Sequence, residues 1–551
     1  MTTRLFVLFV VLIAFATTLH AQVYQWAKQS NGNMDQLTIA SVTDGQGNTF
    51  LTGTFDGVVL TFGSTTLTNP AMLPGNPSAF LVKYDATGNV LWAKLVGGGE
   101  YDAANSITMD RAGNLYVYGN FYNPTISFGA ITLTNASHYD NFLVKLDTAG
   151  NPIWATVEHE SATASGADYA IGVAADDSGH VIVTGSYDSS IVIGGTHLAS
   201  PGGAGGMYLA KYDTSGHLLW ATTNSGGGSS LANAITLDGN GNIYIAGYSL
   251  SSSLSFDDST ITNIGGTDLF LAKYSPGGAV RWVRDIVDSC NSGIDDIDAD
   301  DSGNLYVAGG FNCPSIILGA YTLTNAAYAA GSANSFVAQY SPTGTVNWAK
   351  KGGGTLGDAI LTLDVTPQNF VVLGGESSSL PSVFGPDTLR HSGIFLAEYS
   401  STGTVRWLNS ASVPSHGGIF ALSHDAAGNL YSSGYFSDSL QADGNLIIDT
   451  STVGNPEIFT TRISNPTTAV PEVKAPLQLL VYPNPATTQL NITSGTRCIS
   501  QVIITDLSGH DVSYTTLIAN TAQLHIDISS LSAGVYLVRI NGTEARKFVK
   551  E

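Results

Sequence analysis

The sequence predicts an all-β chain, a seven-bladed β-propeller followed by a small C-terminal β-sandwich. Three observations lead there. The seven tryptophans, Trp26, Trp92, Trp154, Trp220, Trp282, Trp348 and Trp407, recur at intervals of 66, 62, 66, 62, 66 and 59 residues. Between them the same short β-branched and aromatic runs return, about four per repeat, with no helical periodicity. Only 12% of the 551 residues are charged while 62 are glycine. That composition suits strands and tight turns rather than helices with charged outer faces.

The N-terminus reads as an export signal over residues 1–21: Arg4, an apolar run from Leu5 to Ala16, and a small residue, Ala21, at the expected cut. A run of roughly a dozen apolar residues is too short to span a bilayer, which takes about 20. No Cys follows the cut, so no lipid anchor is expected, and no later segment reads as a transmembrane span.

Residues 22–464 carry the repeat. One copy runs from Ser106-Ile107-Thr108-Met109-Asp110 through Gly113-Asn114-Leu115-Tyr116-Val117-Tyr118-Gly119 to Asn141-Phe142-Leu143-Val144-Lys145-Leu146-Asp147, ending on Trp154. Asp-x-x-Gly-Asn turns or close variants start at Asp44, Asp110, Asp176, Asp238, Asp300 and Asp425. In such a turn Asp accepts backbone N–H bonds and Gly supplies the left-handed residue. The sixth repeat has Val365-Thr366-Pro367-Gln368-Asn369 instead. A second series (Asp85 to Gly88, Asp147 to Gly150, Asp213 to Gly216) leads into the Trp strand. Four strands stacked as blades around an axis bury both faces of each sheet. The Trp, fixed on the last strand, is placed to pack between blades rather than to serve as a sugar platform. Trp26 has no earlier strands of its own repeat, and no Trp strand follows Glu457–Ile463. The N-terminal strand is therefore expected to complete the last blade and close the ring, removing exposed sheet edges. The recurring Trp-Ala-Lys, Gly-Asn-Leu-Tyr-Val and Phe-Leu-Val-Lys-Tyr-Asp blocks resemble the SBBP family of β-propeller repeats. That resemblance implies a fold and a secreted setting but no single activity.

Residues 465–476, rich in Pro and Thr, read as a linker, and 477–551 as the small β-sandwich. The tail opens on Tyr482-Pro483-Asn484-Pro485, later carries Gly534-Val535-Tyr536, and ends on a basic strand with Lys547. In that order at the extreme C-terminus these motifs resemble the type A sorting domain of the type IX secretion system. The resemblance implies a Bacteroidota-type bacterium, the type IX machinery as partner, and a protein secreted or attached at the outer-membrane surface.

Signals for chemistry are sparse. No nucleophile elbow, zinc spacing, His-Glu-x-x-His helix or phosphate loop occurs, so no catalytic residue and no metal site is expected. The net charge of −22 argues against nucleic acid. The turn aspartates would suit calcium, but each turn offers one or two carboxylates already in conformational use, so no cofactor is expected. Glu158-His159-Glu160 reads as a solvated loop, and Asp295, Asp296, Asp298, Asp300 and Asp301 as the first strand and turn of a repeat. Gly97–Gly99, Gly226–Gly228 and Gly352–Gly354 read as close chain crossings. Cys290 and Cys313 lie close in one repeat of an exported chain; a bridge between them and two free thiols both fit, with Cys498 left over. The long links Phe121 to Tyr139, Tyr248 to Thr267 and Phe311 to Asn334 emerge on one side and point to a recognition face there. The first functional expectation is a non-enzymatic binding or adhesion module for a glycan or protein ligand. The alternatives are a polysaccharide-active enzyme with a site on that face, and a passive structural surface protein.

Overall fold

The computed structural model describes residues 24–464, apart from short loop stretches of which 161–168 is the longest, and 479–551, apart from 495–498, 506–510, 522 and 541–543. The expected signal peptide and linker lie outside the described residues. The chain divides into two units, 1–466 and 467–551.

The first unit is a β-propeller of seven four-stranded antiparallel sheets. Blades 1 to 6 span Gln36–Val96, Ala103–Glu160, Tyr169–Thr223, Ser230–Ile286, Ser292–Gly353 and Asp358–Ser412. Blade 7 joins Gly417–His424, Leu430–Phe436 and Glu457–Ile463 to the N-terminal strand Tyr24–Gly32, with Trp26 opposite Arg462. The innermost strands lie side by side around the axis, the seventh against the first, which closes the ring.

Blades 1, 2, 4, 5 and 7 share an Asp–Asn contact in the first turn. The Asp110 carboxylate accepts bonds from the Asn114 backbone N–H (2.8 Å), the Asn114 side chain (2.7 Å) and the Tyr116 hydroxyl (2.9 Å). Burial pushes this carboxyl up, but those donors outweigh it and hold it below the usual carboxylate range. Lys145, from the third strand, lies 3.7 Å away. In blade 6 the turn survives without Asp: Thr366 accepts from the Phe370 N–H, and Asn369 takes the left-handed place of Gly at φ 59°.

The tryptophans pack between blades. Trp26, Trp154, Trp282 and Trp348 each donate Nε1–H to a carbonyl in the turn of the next blade (Ala86, Thr214, Pro342 and Ser401) at 2.9–3.0 Å. A Cβ at the following turn glycines, Gly88, Gly216, Gly344 and Gly403, would come within 2.6–3.0 Å of those rings. The Gly352 crossing is equally close, since a Cβ there would meet Phe384 of the next blade at 2.2 Å.

Each blade has the four strands expected, but the expectation of long recognition loops needs correction. The links between second and third strands fold into β-hairpins: Thr125–Phe128 with Ile131–Thr134, Ser253–Phe256 with Ser259–Thr262, and Ser315–Leu318 with Tyr321–Thr324 among them. Alternation decides this, because Ile126, Phe128 and Leu133 are buried while the residues between them face solvent. The hairpin tips reach the start of the outer strand, as Gly63 does at Val90 and Gly319 at Val346. Among the described residues, at five of the seven blade boundaries a hairpin also pairs with the outer strand of the preceding blade or, after blade 3, with the short strand Ser225–Gly226 that follows it. The hairpins of blades 2 and 5 form two-stranded sheets of their own among the described residues.

The second unit stacks a three-stranded sheet (Leu479–Tyr482, Gln489–Ser494, Gln523–Asp527) and a four-stranded sheet (Ile499–Thr505, Asp511–Thr521, Gly534–Ile540, Glu544–Lys550) over one core. Tyr536 lies against Phe548 with ring centroids 5.7 Å apart. Asn484 accepts from the Val549 N–H at 2.9 Å, so the Tyr-Pro-Asn-Pro turn is joined to the last strand. Tyr482 stands 48% exposed.

Candidate functional site

The innermost strand of every blade carries a β-bulge near its start. The register slips between Thr38 and Ala40, Ala104 and Ser106, Ala170 and Gly172, Ala232 and Ala234, Ile294 and Asp296, Ile360 and Thr362, and Ile419 and Ala421. Opposite each bulge the second strand places a glycine. A Cβ on Gly53, Gly119, Gly247 or Gly434 would sit 1.9–2.0 Å from a carbonyl oxygen of the bulged strand. Only glycine fits there.

The bulge re-aims one side chain per blade at the axis. Ile39, Asn105, Ile171, Asn233, Asp295, Leu361 and Phe420 all line an axial cavity of about 290 Å³. They are partly accessible, and Asp295 is exposed. Asn105 and Asn233 also bridge blades, donating to the Ala170 and Ile294 carbonyls at 2.7 and 3.0 Å. Those carbonyls lie on inner edge strands that have no further strand to pair with.

The acidic run of blade 5 divides by role. Asp296 accepts from the Leu363 N–H (2.9 Å) and the Thr362 hydroxyl (3.1 Å) of blade 6. Asp298 accepts from the Val365 N–H (2.9 Å) and the Thr236 hydroxyl (2.9 Å). Both satisfy edge groups of neighbouring strands. Asp295 opens into the channel, yet protein surrounds it on several sides and burial raises its carboxyl to about 6. Burial likewise pushes Asp296 to about 7, with Asp298 adding to it, and Asp298 to about 6, with Asp364 adding. His424 pairs with Asp364 at 2.7 Å; burial would lower its pKa, but the carboxylates around it raise it to about 9. Among the described residues no group of three or more His, Cys, Asp or Glu could hold a metal ion.

The face from which the inner strands start also exposes aromatic rings. Tyr122, Tyr169 and Tyr328 are 43%, 53% and 45% exposed, and Tyr122 lies 5.1 Å from Tyr139.

Glu158-His159-Glu160 is not a loop but the end of the outer strand Pro152–Glu160. Glu158 is fully buried and accepts bonds from Tyr118 (2.5 Å), Tyr208 (2.6 Å) and Tyr212 (2.6 Å), while His159 pairs with Asp140 at 2.6 Å. The two acidic neighbours look alike in sequence, and only the hairpin of blade 3, pairing with residues 158–160, encloses this stretch. Cys313 is disulfide-bonded and 1% exposed, whereas Cys290 and Cys498 lie outside the described residues. The bulge ring was not foreseen from the sequence, although a glycine at the fifth residue of each second strand was its signal.

Residues 480–551 match the family of secretion system C-terminal sorting domains. A stretch of 158 residues is 30% identical to an uncharacterized WD repeat-containing protein of Acanthamoeba polyphaga mimivirus, covering 27% of this chain and 11% of that protein's length. A protein of unknown function from Dyadobacter fermentans aligns over 81% of this chain and 98% of its own at 10% identity and TM-score 0.37. Sqt1 from Chaetomium thermophilum aligns over 75% and 97%, at 10% identity and TM-score 0.38.

Proposed function

We infer that the C-terminal sorting domain marks the chain for export by the type IX secretion system, to a secreted or surface-attached state. We propose that the exported protein is an SBBP-type propeller of a Bacteroidota-type bacterium that enters the pathway by its N-terminal signal peptide. Its role is to bind a glycan or protein ligand, as an adhesin-like module without catalysis. One observation carries this reading. The Trp and the glycine opposite the bulge repeat in every blade, whereas the bulge ring holds Ile, Asn, Ile, Asn, Asp, Leu and Phe at one equivalent position. Side chains that diverge on an identical, accessible scaffold position suit recognition rather than packing. The exposed tyrosines of the adjoining face extend the same surface.

The raised carboxyl of Asp295 favours an enzyme as the second reading. Glycoside hydrolysis takes two carboxyls roughly 5–10 Å apart, one of them free to move a proton. Asp296 and Asp298 are occupied by backbone and hydroxyl donors of other strands, which weighs against it.

A glycan array probed with the exported protein, with and without calcium, tests the binding role. Specific binding should weaken at least about tenfold in Phe420→Ala and Asp295→Asn, a loss of roughly 1.4 kcal/mol. A blank array would withdraw the sugar ligand in favour of a protein partner or a structural role.

A further inference from the structure

The third strand of blades 1, 3, 4, 5 and 6 ends on a buried tyrosine that pairs with the residue two positions before each Trp: Tyr84, Tyr212, Tyr274, Tyr340 and Tyr399; blade 7 ends on Ile463. Each ring fills the space between its own blade and the preceding one. Tyr84 stands edge-on to Phe62 of its hairpin, ring centroids 6.5 Å apart, and its hydroxyl bonds Thr460 of blade 7. Blade 2 has Leu146 at this position, opposite Pro152. There a cavity of about 280 Å³ opens between blades 1 and 2, walled by Leu81, Val96, Phe128, Val144, Leu146 and Pro152.

We propose that this cavity is a binding site for a single aromatic ring of phenol size, a free small molecule that takes the place the tyrosine holds in five of the other six blades. The volume suffices, since an apolar cavity of about 150 Å³ already admits benzene. The orientation of the ligand follows from the walls. Leu81 stands where blade 7 has Thr460, and Val96 where it has Ser30, so the deep end offers no hydrogen bond. Lys94 lies at the edge of the cavity, its ammonium held 2.8 Å from the Ala149 and Gly150 carbonyls. The ring therefore enters apolar end first and keeps its polar substituent outward. Among the described residues the blade 2 hairpin forms a sheet of its own, with Ile126 close to Gly97 of blade 1. This site lies between blades and stands independently of the axial ring.

The probe is p-cresol, with cyclohexanol as the non-aromatic control, titrated into the mature full-length protein and followed by saturation-transfer NMR. The expected result is saturable binding of p-cresol, at least about tenfold tighter than cyclohexanol. Leu146→Tyr, which supplies the ring covalently, should abolish it, and Val96→Phe should do the same from the opposite wall should the first variant not fold. Absence of saturation, equal binding of cyclohexanol, or binding retained in the folded variants would overturn the assignment.

Discussion

Blades 2 and 3 meet across one of the most fully satisfied boundaries of the ring, and blades 1 and 2 across one of the least. At the first, Tyr212 fills the gap, Glu158 gathers three tyrosine hydroxyls, and the blade 3 hairpin pairs with the blade 2 outer strand. At the second, Leu146 replaces the tyrosine, Val96 stands in the place of Glu158, no hairpin ladder forms among the described residues, and a cavity remains. The two boundaries share their tryptophan contact: a Cβ on Gly150 would meet Trp92 at 3.0 Å, and one on Gly216 would meet Trp154 at 2.8 Å. A repeat can therefore keep its blade-to-blade contact on one side chain while everything around it varies. The boundary between blades 4 and 5 lies between these extremes. Among the described residues it too lacks the hairpin ladder, and Cys313, which is disulfide-bonded, sits next to the base of that hairpin.

Breaking the strong boundary should have the largest effect. Glu158→Ala leaves three tyrosine hydroxyls and a void in a dry interface, and should cost about 3–5 kcal/mol in urea unfolding. Next comes Cys313→Ser, expected to cost about 2–4 kcal/mol under oxidising conditions and nothing once the wild type is reduced. The same measurement on both proteins, with and without reductant, checks it.

Glu158→Gln sharpens the comparison through pH. Burial raises the Glu158 carboxyl above its ordinary value of 4.5, despite the lowering effect of the tyrosine donors. The native protein then keeps a proton that the unfolded chain has released. Stability should fall as pH rises above about 4.5 and level off beyond the raised native value. The Gln variant should lack that slope in melts taken across the range, and a slope unchanged by the substitution would mean that other groups set it. The smallest effect is expected at the weak boundary, where Leu146→Tyr should gain roughly 1 kcal/mol by filling the cavity, less the cost of its buried hydroxyl.

The sequence by itself determined the propeller, its closure by the Trp26 strand, the turn chemistry of Asp110 and its equivalents, and the address in the tail. These rest on local patterns: period-two alternation, an Asp and a Gly at fixed spacing, one Trp per repeat. Hairpin formation was legible too, in the alternation of Ile126, Phe128 and Leu133, but it competed with the reading of the links as open loops. What only the tertiary structure decided was which side chains meet across blades. Glu158 and Asp295 are both acidic residues on strands. One becomes a sealed acceptor because Tyr118, Tyr208 and Tyr212 arrive from two blades; the other faces the axis because a bulge turns it there. Leu146 differs from its counterparts by one ordinary substitution, and a cavity follows only because neighbouring walls hold their distance. Burial and partnership are set by residues some 60 positions apart in sequence, brought together by stacking repeats around an axis, and no local pattern encodes them.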